Sequence, residues 1–243
     1  MKKYDASKYD KPSVSLDLVI MSYDVDHKTI KILTEQRDRE PYAGKIGLPG
    51  TIVKTNETFA DAIQRIFSEK LSDVISFRDV TMEQLYTFDA LDRDPRLRMI
   101  GVSYLVFVPL DKVNQHTNNK AFYFMDARRE PDGKISVIGN DSKKFSNDEF
   151  AFDHAEIISC AWYRVANKIE YTNTAFYMLP EKMSLGMIQN EYEALLGKRL
   201  DKPNFRKFIK KFVEETDEYE DNVNHRPGKL FKLSPKWSNV FWR

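Results

Sequence analysis

The sequence predicts a mixed α/β (α+β) domain followed by a small second domain built mainly of helices. Three observations support this fold class. Several short segments alternate apolar and polar residues, which is the period of a strand, and one segment between them has the three-and-four spacing of a helix. After about residue 167, two shorter helical patterns follow each other closely. We therefore divide the chain into an N-terminal tail (1–11), a first domain (12–166) and a linker with the second domain (167–243).

The strands of the first domain are predicted from period-two segments. Residues 14–20 and 30–34 alternate in this way, and residues 24–27 between them predict a hairpin turn. Further apolar runs predict three more strands, at residues 102–109, 121–125 and 135–138. Residues 139–148 are polar and predict a loop, whereas residues 155–165 form another apolar segment.

One long amphipathic helix interrupts these strands. Its apolar residues lie three or four positions apart and share one face: Phe59, Ile63, Ile66, Phe67 and Leu71. Thr58 or Asn56 can cap its start, and Glu57 and Asp61 place negative charge near the positive end of the helix dipole.

Composition indicates two soluble domains in a reducing compartment. The chain has 243 residues, of which 42% are hydrophobic, enough for two cores. The formal net charge is only +1, so a surface for nucleic acid must be a local basic patch. The single cysteine, Cys160, excludes an intrachain disulfide framework. No segment reaches the roughly 18 apolar residues of a membrane span, so we expect a cytoplasmic protein without a membrane partner.

The segment from Leu48 to Leu71 resembles the Nudix box of the MutT/Nudix superfamily, and it reads LPGTIVKTNETFADAIQRIFSEKL. In that family a glycine, a glutamate, an Arg-Glu pair and a Glu-Glu pair follow at fixed spacing. The helix carboxylates hold magnesium, which prefers oxygen ligands, against a diphosphate. The resemblance implies a Nudix-like α/β/α sandwich. The alternative is an ordinary amphipathic helix without Nudix ancestry.

Two of the three helix carboxylates of this box are replaced, by Ile66 and Lys70. The remnants are Glu57, Arg65 and Glu69, while the second and trailing glycines of the box are Thr51 and Ser72. An isoleucine offers no ligand, and an ammonium group repels a cation. We therefore expect no catalytic residue, no metal and no cofactor, with magnesium relevant only if hydrolase activity persists.

Three further segments are similar to Nudix-related transcriptional regulators (NrtR-like). They are residues 88–96, which contain Asp-Arg-Asp-Pro-Arg, residues 152–157, and residues 170–176. In that family a Nudix domain senses a metabolite and a winged helix binds DNA. The resemblance covers nearly the whole chain and is weakest over residues 110–150.

The resemblance implies an effector, ADP-ribose or a related nucleotide or a sugar. Arg93 and Arg96 are expected to contact its phosphate or polar groups because arginine offers a two-pronged donor. The alternative is a charged turn at residues 92–96 whose members pair with one another. Arg65 and Glu69 complete the expected effector-binding set. His154, beside Asp153, is interpreted as a structural contact, and no nucleophile triad is evident.

The second domain has the element order of a winged helix-turn-helix. Ser184 caps a first helix that ends at Gly197, and Asp201 caps a second helix with Pro203 in its first turn. An acidic segment (214–221) and a short strand at residues 230–233 follow. Helix, tight turn, helix, loop and strand is the order in which such domains present a helix to the major groove.

Basic side chains concentrate on the turn, the second helix and the wing of this domain. The expected DNA-binding residues are Lys198, Arg199, Lys202, Asn204, Arg206, Lys207, Lys210, Arg226, Lys229 and Lys232. We place Asn204 and Lys207 near base edges and the others mostly on phosphates. The acidic segment 214–221 is expected to point away from DNA. A solvated charged face without DNA is the alternative interpretation.

The favoured hypothesis is a transcriptional regulator, a repressor, that binds a double-stranded DNA operator as a homodimer and senses its effector through an inactive Nudix domain. The resemblance implies NAD-metabolism genes as targets. One alternative is a Nudix-type hydrolase of nucleoside-diphosphate-linked substrates such as ADP-ribose. Another is a protein-interaction module, which the basic clusters disfavour.

Overall fold

The computed structural model describes residues 5–114, 121–221 and 227–237. Within these ranges the chain forms twelve strands in two sheets and four α-helices. The nine strands and first helix of the larger unit are β1 (Ser13–Asp24), β2 (Thr29–Gln36), β3 (Ile46–Gly47), β4 (Gly50–Ile52), α1 (Phe59–Glu69), β5 (Thr81–Phe88), β6 (Met99–Phe107), β7 (Phe122–Arg129), β8 (Ile135–Ile138) and β9 (Lys144–Phe145).

The larger sheet is mixed. Its strand order is β5-β6-β1-β2-β7-β8-β9, with β3 paired to β2 and β4 paired to β1. β1 and β6 run parallel, and β1 pairs antiparallel with β2 and β4. Each strand predicted from the sequence is present. The edge strand β5 was not predicted because only Leu85 and Phe88 of its eight residues are buried, so its apolar alternation is weak.

The central strand β1 is buried on both faces. Leu16, Leu18 and Ile20 pack in one apolar cluster with Ile63 and Ile66 of α1. The alternate residues of β1 pack in a second cluster with the helix α2 (His154–Lys168) on the opposite face. Helices therefore cover both faces of the sheet, which confirms the predicted α/β/α sandwich.

The two helices differ in how well the sequence predicted them. Helix α1 starts where expected, because Thr58 and Asp61 form a reciprocal cap. The Thr58 hydroxyl accepts a hydrogen bond from the amide of Asp61 (3.2 Å), and the Asp61 carboxylate accepts one from the amide of Thr58. Helix α2 was not predicted, and the expectation of a single long helix in the first domain is wrong. Its buried residues, Ile157, Ile158, Ala161, Trp162 and Val165, nevertheless fit one helical face.

The second domain is a winged helix, as predicted. After a 3-10 helix at Thr174–Met178 come β10 (Met183–Ser184), α3 (Leu185–Leu196), α4 (Lys202–Ile209), β11 (Val213–Tyr219) and β12 (Lys229–Leu233). The small sheet has the order β10-β12-β11. The predicted caps are present. Ser184 accepts from the amide of Met187 (3.2 Å), Gly197 has φ +66°, and Asp201 accepts from the amide of Asn204 (3.0 Å).

The acidic segment after α4 is itself a strand of the wing. β11 pairs antiparallel with β12, so most of the acidic side chains lie within the hairpin rather than in a loop. The sequence did not reveal this strand because charged residues dominate it, and pairing with β12 overrides their low strand propensity.

The two units share one apolar cluster. Helix α3 packs on α2 and on strands β2 and β7, and the cluster that begins on β1 continues into Tyr192, Leu195 and Phe205. The indole of the fully buried Trp162 donates a hydrogen bond to the carbonyl oxygen of Leu195 (3.0 Å). The proposed boundary at residues 166–167 falls near the end of α2. None of the helices in the described part of the chain could span a bilayer.

Candidate functional site

A cavity of about 340 Å³ opens beside the remnant of the Nudix-like box. Its walls come from β1, β2, the segment around β4, the end of α1, the loop before β6 and the start of α2. The lining residues are Ser15, Asp17, Glu35, Arg37, Arg39, Leu48, Gly50, Thr51, Ile52, Lys70, Arg93, Asp94, Arg96, Phe152 and His154. Five of them are arginine or lysine and three are aspartate or glutamate.

Arg93 forms the buried floor of this cavity. It is only 7% exposed, and its guanidinium grips Asp153 through two hydrogen bonds of 2.8 and 2.9 Å. It also donates to Asp17 (3.2 Å) and to the Ser15 hydroxyl (3.0 Å). A side chain at Gly101 would meet the guanidinium at 2.5 Å, so the strand can pass Arg93 only with glycine there. Arg93 thus ties three elements together.

His154 positions the loop that carries the start of the box. Its Nδ1 accepts a hydrogen bond from the amide of Leu48 (2.8 Å), so the ring proton lies on Nε2, which faces Asp17 at 3.6 Å. Burial alone would raise the pKa of Asp17, but His154 and Arg93 together bring it below its ordinary value. This geometry supports the structural interpretation of His154.

Another part of the cavity wall presents guanidinium groups around an aromatic ring. The Arg37 and Arg96 carbons Cζ lie 4.9 and 5.5 Å from the centre of the Phe152 ring. Burial lowers the pKa of Arg37, the charges of Glu35 and Asp38 offset this only in part, and the charges of Arg39 and Arg96 lower the pKa further. The wall therefore has a surplus of positive charge that an anionic ligand would neutralise.

Arg96 agrees in one respect with the alternative interpretation, in which the charged residues of the turn at 92–96 pair with one another. It pairs with Asp94 within the same turn, at 2.6 Å, but its side chain remains 42% exposed and borders the cavity. Arg93 does not pair within the turn. Sequence reasoning missed Arg37, Arg39 and Phe152, because they approach Arg96 only through the fold.

The remnants of the box hold the loop to the helix. Arg65 bonds both carboxylate oxygens of Glu57, at 2.6 and 3.0 Å, and it also donates to the Thr51 hydroxyl (2.9 Å). The bond from Arg65 lowers the pKa of Glu57 to about 2. Arg65 and Glu69 do not line the cavity, and the Glu69 side chain is 60% exposed. The structure therefore does not bring these two expected effector residues to the others.

The residues at the box do not fit a divalent cation. Ile66 is 1% exposed and belongs to the core beneath α1. Lys70 lies 3.3 Å from a Glu35 oxygen, and Glu57 is held by Arg65. Within residues 5–114, 121–221 and 227–237, no group of three or more His, Cys, Asp or Glu side chains could hold a metal. A magnesium ion would meet an ammonium group where a carboxylate is needed.

The winged helix presents the expected basic face. In α4, Phe205 and Ile209 are buried, and the remaining surface carries exposed polar and basic residues. The exposed members of the predicted set are Lys198, Arg199, Lys202, Asn204, Arg206, Lys207, Lys210 and Lys232. Lys229 is half-buried, and Arg226 lies outside the described residues. Two of these cations have protein partners, since Arg199 bonds Glu193 and Lys229 bonds Glu215.

The C-terminal unit matches a known protein family. Residues 175–233 match the family model described as the NrtR DNA-binding winged helix domain. Over 236 residues, 96% of this chain and 87% of the relative, the sequence is 26% identical to the ADPR responsive transcriptional repressor NtrR of Acinetobacter baylyi. Residues 175–233 therefore form a winged helix of the NrtR DNA-binding type, and the chain as a whole is similar to the NtrR repressor. The resemblance seen in the sequence is thereby confirmed.

Other relatives match about two thirds or nearly all of the chain. The ADP-ribose pyrophosphatase of Methanocaldococcus jannaschii is 27% identical over 161 residues, 65% of this chain and 79% of that protein. A MutT/nudix family protein from Enterococcus faecalis superposes with a TM-score of 0.79 at 28% identity, covering 95% of this chain and 90% of that one. Shewanella oneidensis NrtR, solved with a 27mer DNA, superposes with a TM-score of 0.71 at 23% identity over 92% and 94% of the two chains.

Proposed function

We propose that this protein is a DNA-binding transcriptional repressor whose Nudix-like cavity binds ADP-ribose or a related nucleotide and thereby changes its affinity for an operator. The observation that carries the proposal is the helix α2, which begins at the basic cavity and bonds through Trp162 to α3 of the winged helix. We place this activity in the cytoplasm and assign it no cofactor.

The winged helix supplies the DNA-binding half. Helix α4 buries one face and turns its basic residues to solvent, as a helix that enters the major groove must do. Asn204 and Lys207, both exposed, are proposed to reach base edges, and the remaining basic residues of the predicted set are proposed to contact phosphates. The match to a DNA-binding domain family supports this assignment.

The cavity supplies the sensing half. Its surplus of basic side chains favours an anion, and Phe152 offers an apolar ring for stacking. The two curated relatives differ in activity, one a repressor and the other a pyrophosphatase, but both names refer to ADP-ribose. A common ligand with different outcomes supports ADP-ribose over a neutral sugar for this cavity.

Helix α2 can transmit occupancy of the cavity to the winged helix. Phe152 and His154 line the cavity at its N-terminal end, and Asp153 between them is clamped by Arg93. Two turns further, Trp162 donates to the carbonyl oxygen of Leu195 in α3. A ligand that shifts the start of α2 would move α3 and with it α4. Such coupling requires unequal affinity of the ligand for the two arrangements.

We further propose that the protein acts as a homodimer. A dimer with two-fold symmetry matches a near-palindromic operator, whose half-sites lie one or more helical turns apart. A hydrolase is the weaker candidate, because the position that needs a carboxylate for magnesium carries Lys70.

Fluorescence anisotropy on labelled DNA tests the proposal. The DNA comes from upstream of the protein's own gene and its neighbours, with unlabelled random DNA as competitor, and ADP-ribose or a neutral sugar is titrated in. We expect competitor-resistant binding that ADP-ribose alters. A response to the sugar alone would show that the effector is a sugar and not ADP-ribose. Absence of specific DNA binding would contradict the proposal that the protein is a repressor.

A further inference from the structure

Lys70 stands where the Nudix-like box would have a metal-binding carboxylate, and it still faces the ligand cavity. It follows α1 directly, as the residue that caps its C-terminal end. Its ammonium nitrogen lies 3.3 and 3.5 Å from the two carboxylate oxygens of Glu35, and both side chains line the cavity. The replacement therefore leaves a cation at the site without a metal.

The surrounding side chains show which kind of ligand this cation suits. Arg93 is occupied by Asp153, Asp17 and Ser15. Arg37, in contrast, donates to the carbonyl oxygens of Pro41 and Arg39 rather than to a carboxylate. Guanidinium groups with capacity to spare and one ammonium group converge on a single cavity, which is the chemistry that recognises phosphate groups.

We propose that Lys70 takes over the role of the divalent cation and binds the diphosphate of the ligand directly, so that binding at this cavity is independent of metal. The inference rests on the proposed function and adds to it a residue and a mode of recognition. Glu35 holds the ammonium group in position while the cavity is empty and yields it to the phosphate oxygens when the ligand enters.

One replacement then accounts for two properties. The ammonium group offsets phosphate charge, so affinity for a diphosphate persists. It cannot orient and activate water as a metal ion does, so the bound ligand is not hydrolysed. Because the ligand is bound without being consumed, occupancy of the cavity reports the ligand concentration.

Isothermal titration calorimetry with ADP-ribose and, separately, with inorganic pyrophosphate tests the inference, each in EDTA and in MgCl₂. We expect the wild-type protein to bind both probes in EDTA, with less than about a twofold gain from magnesium. Lys70→Met should weaken binding at least about tenfold, as expected for loss of a charge-assisted hydrogen bond, and Lys70→Arg should restore most of it. Lys54→Met, which removes an exposed lysine of the box outside the cavity, is the matched control.

A second variant guards against a folding defect in Lys70→Met. Glu35→Gln removes the carboxylate charge that competes with the ligand for the Lys70 ammonium group, so it should tighten binding in EDTA by a few-fold. If Glu35 were instead a metal ligand, this variant would weaken binding in magnesium. Wild-type binding that needs magnesium, or a Lys70→Met variant that binds as the wild type does, overturns the inference.

The proposed function can fail separately. If pyrophosphate binds through Lys70 and ADP-ribose does not, the metal-free anion site stands and the effector is another phosphate compound. If ADP-ribose binds through Lys70 and DNA affinity is unchanged, the site stands and the regulatory role falls. Failure of both probes in both buffers overturns the site itself.

Discussion

The molecule has two basic surfaces that are built in opposite ways. In the cavity, Arg93 is 7% exposed and bonded to carboxylates, and Arg37 is half-buried with its guanidinium over the Phe152 ring. On α4, the lysines and arginines stand in solvent around a short apolar face. Enclosed charges fix geometry and interact strongly, whereas exposed charges are screened by salt. We therefore expect the same residue types to provide ligand recognition in one region and salt-dependent attraction to DNA in the other.

The largest difference should appear in stability. Arg93→Met leaves the carboxylates of Asp17 and Asp153 without their partner in a buried site, so we expect the free energy of unfolding to fall by about 3–5 kcal/mol. Arg96→Met, in the same turn but partly exposed, should cost less than about 1 kcal/mol. Urea denaturation followed by circular dichroism measures both. Equal losses would show that the cavity floor is not organised by Arg93.

Substitution of Trp162 should weaken the coupling between the ligand cavity and the DNA-binding surface. Trp162→Phe removes the hydrogen bond to Leu195 and leaves a buried carbonyl group unsatisfied, at a cost of about 1–3 kcal/mol. We expect DNA binding without effector to persist and the change caused by ADP-ribose to shrink. Anisotropy titrations measure this, with Tyr171→Phe at an exposed position as the control. A full response in Trp162→Phe would exclude this contact from the transmission path.

A substitution on the exposed face of α4 should change the affinity for DNA and leave the stability of the fold unchanged. Lys207→Ala should weaken DNA binding by about three- to tenfold and reduce the slope of log affinity against log salt by about 1 if it contacts a phosphate. A base contact would instead relax specificity at one position. Lys112→Ala, exposed in the first unit, is the control. Unchanged affinity in Lys207→Ala would remove this residue from the interface.

The smallest effect concerns the acidic strand of the wing. The exposed Glu215 carboxylate lies 2.8 Å from the half-buried Lys229, and DNA would compete with it for that lysine if Lys229 contacts a phosphate. Glu215→Gln should therefore raise DNA affinity by about two- to fivefold at low salt, and the gain should vanish at high salt. Glu156→Gln, which removes an exposed charge on α2, controls for net charge. Weaker binding in Glu215→Gln would mean that the carboxylate orders the wing.

The sequence predicted those parts of the fold whose signals are local. The caps at Thr58, Ser184 and Asp201 and the left-handed Gly197 each need only a few neighbouring residues, and all are present. The strands β5 and β11 were missed because their residues are largely polar, and they become strands only through pairing with β6 and β12. Partner strands are not visible in a local pattern.

The candidate site was predicted in part for the same reason. Family resemblance pointed to Arg93 and Arg96, which the structure places at the cavity. Arg37, Arg39 and Phe152 come from a loop and a helix start far apart in the chain, so spacing gave no sign of their meeting. From the sequence, Lys70 was interpreted only as the loss of a metal ligand. The phosphate-binding role proposed for it depends on its contact with Glu35, which the sequence does not show.

The proposed function requires that ligand in the cavity and DNA on the winged helix change each other's affinity. Calorimetry of ADP-ribose binding to the free protein and to the protein saturated with its operator DNA tests this most directly. Linkage requires that the two affinities differ by the same factor by which ADP-ribose changes DNA affinity, a factor we expect to be about 5 to 150. Identical ADP-ribose affinities with and without operator DNA would show that the cavity and the winged helix are not coupled.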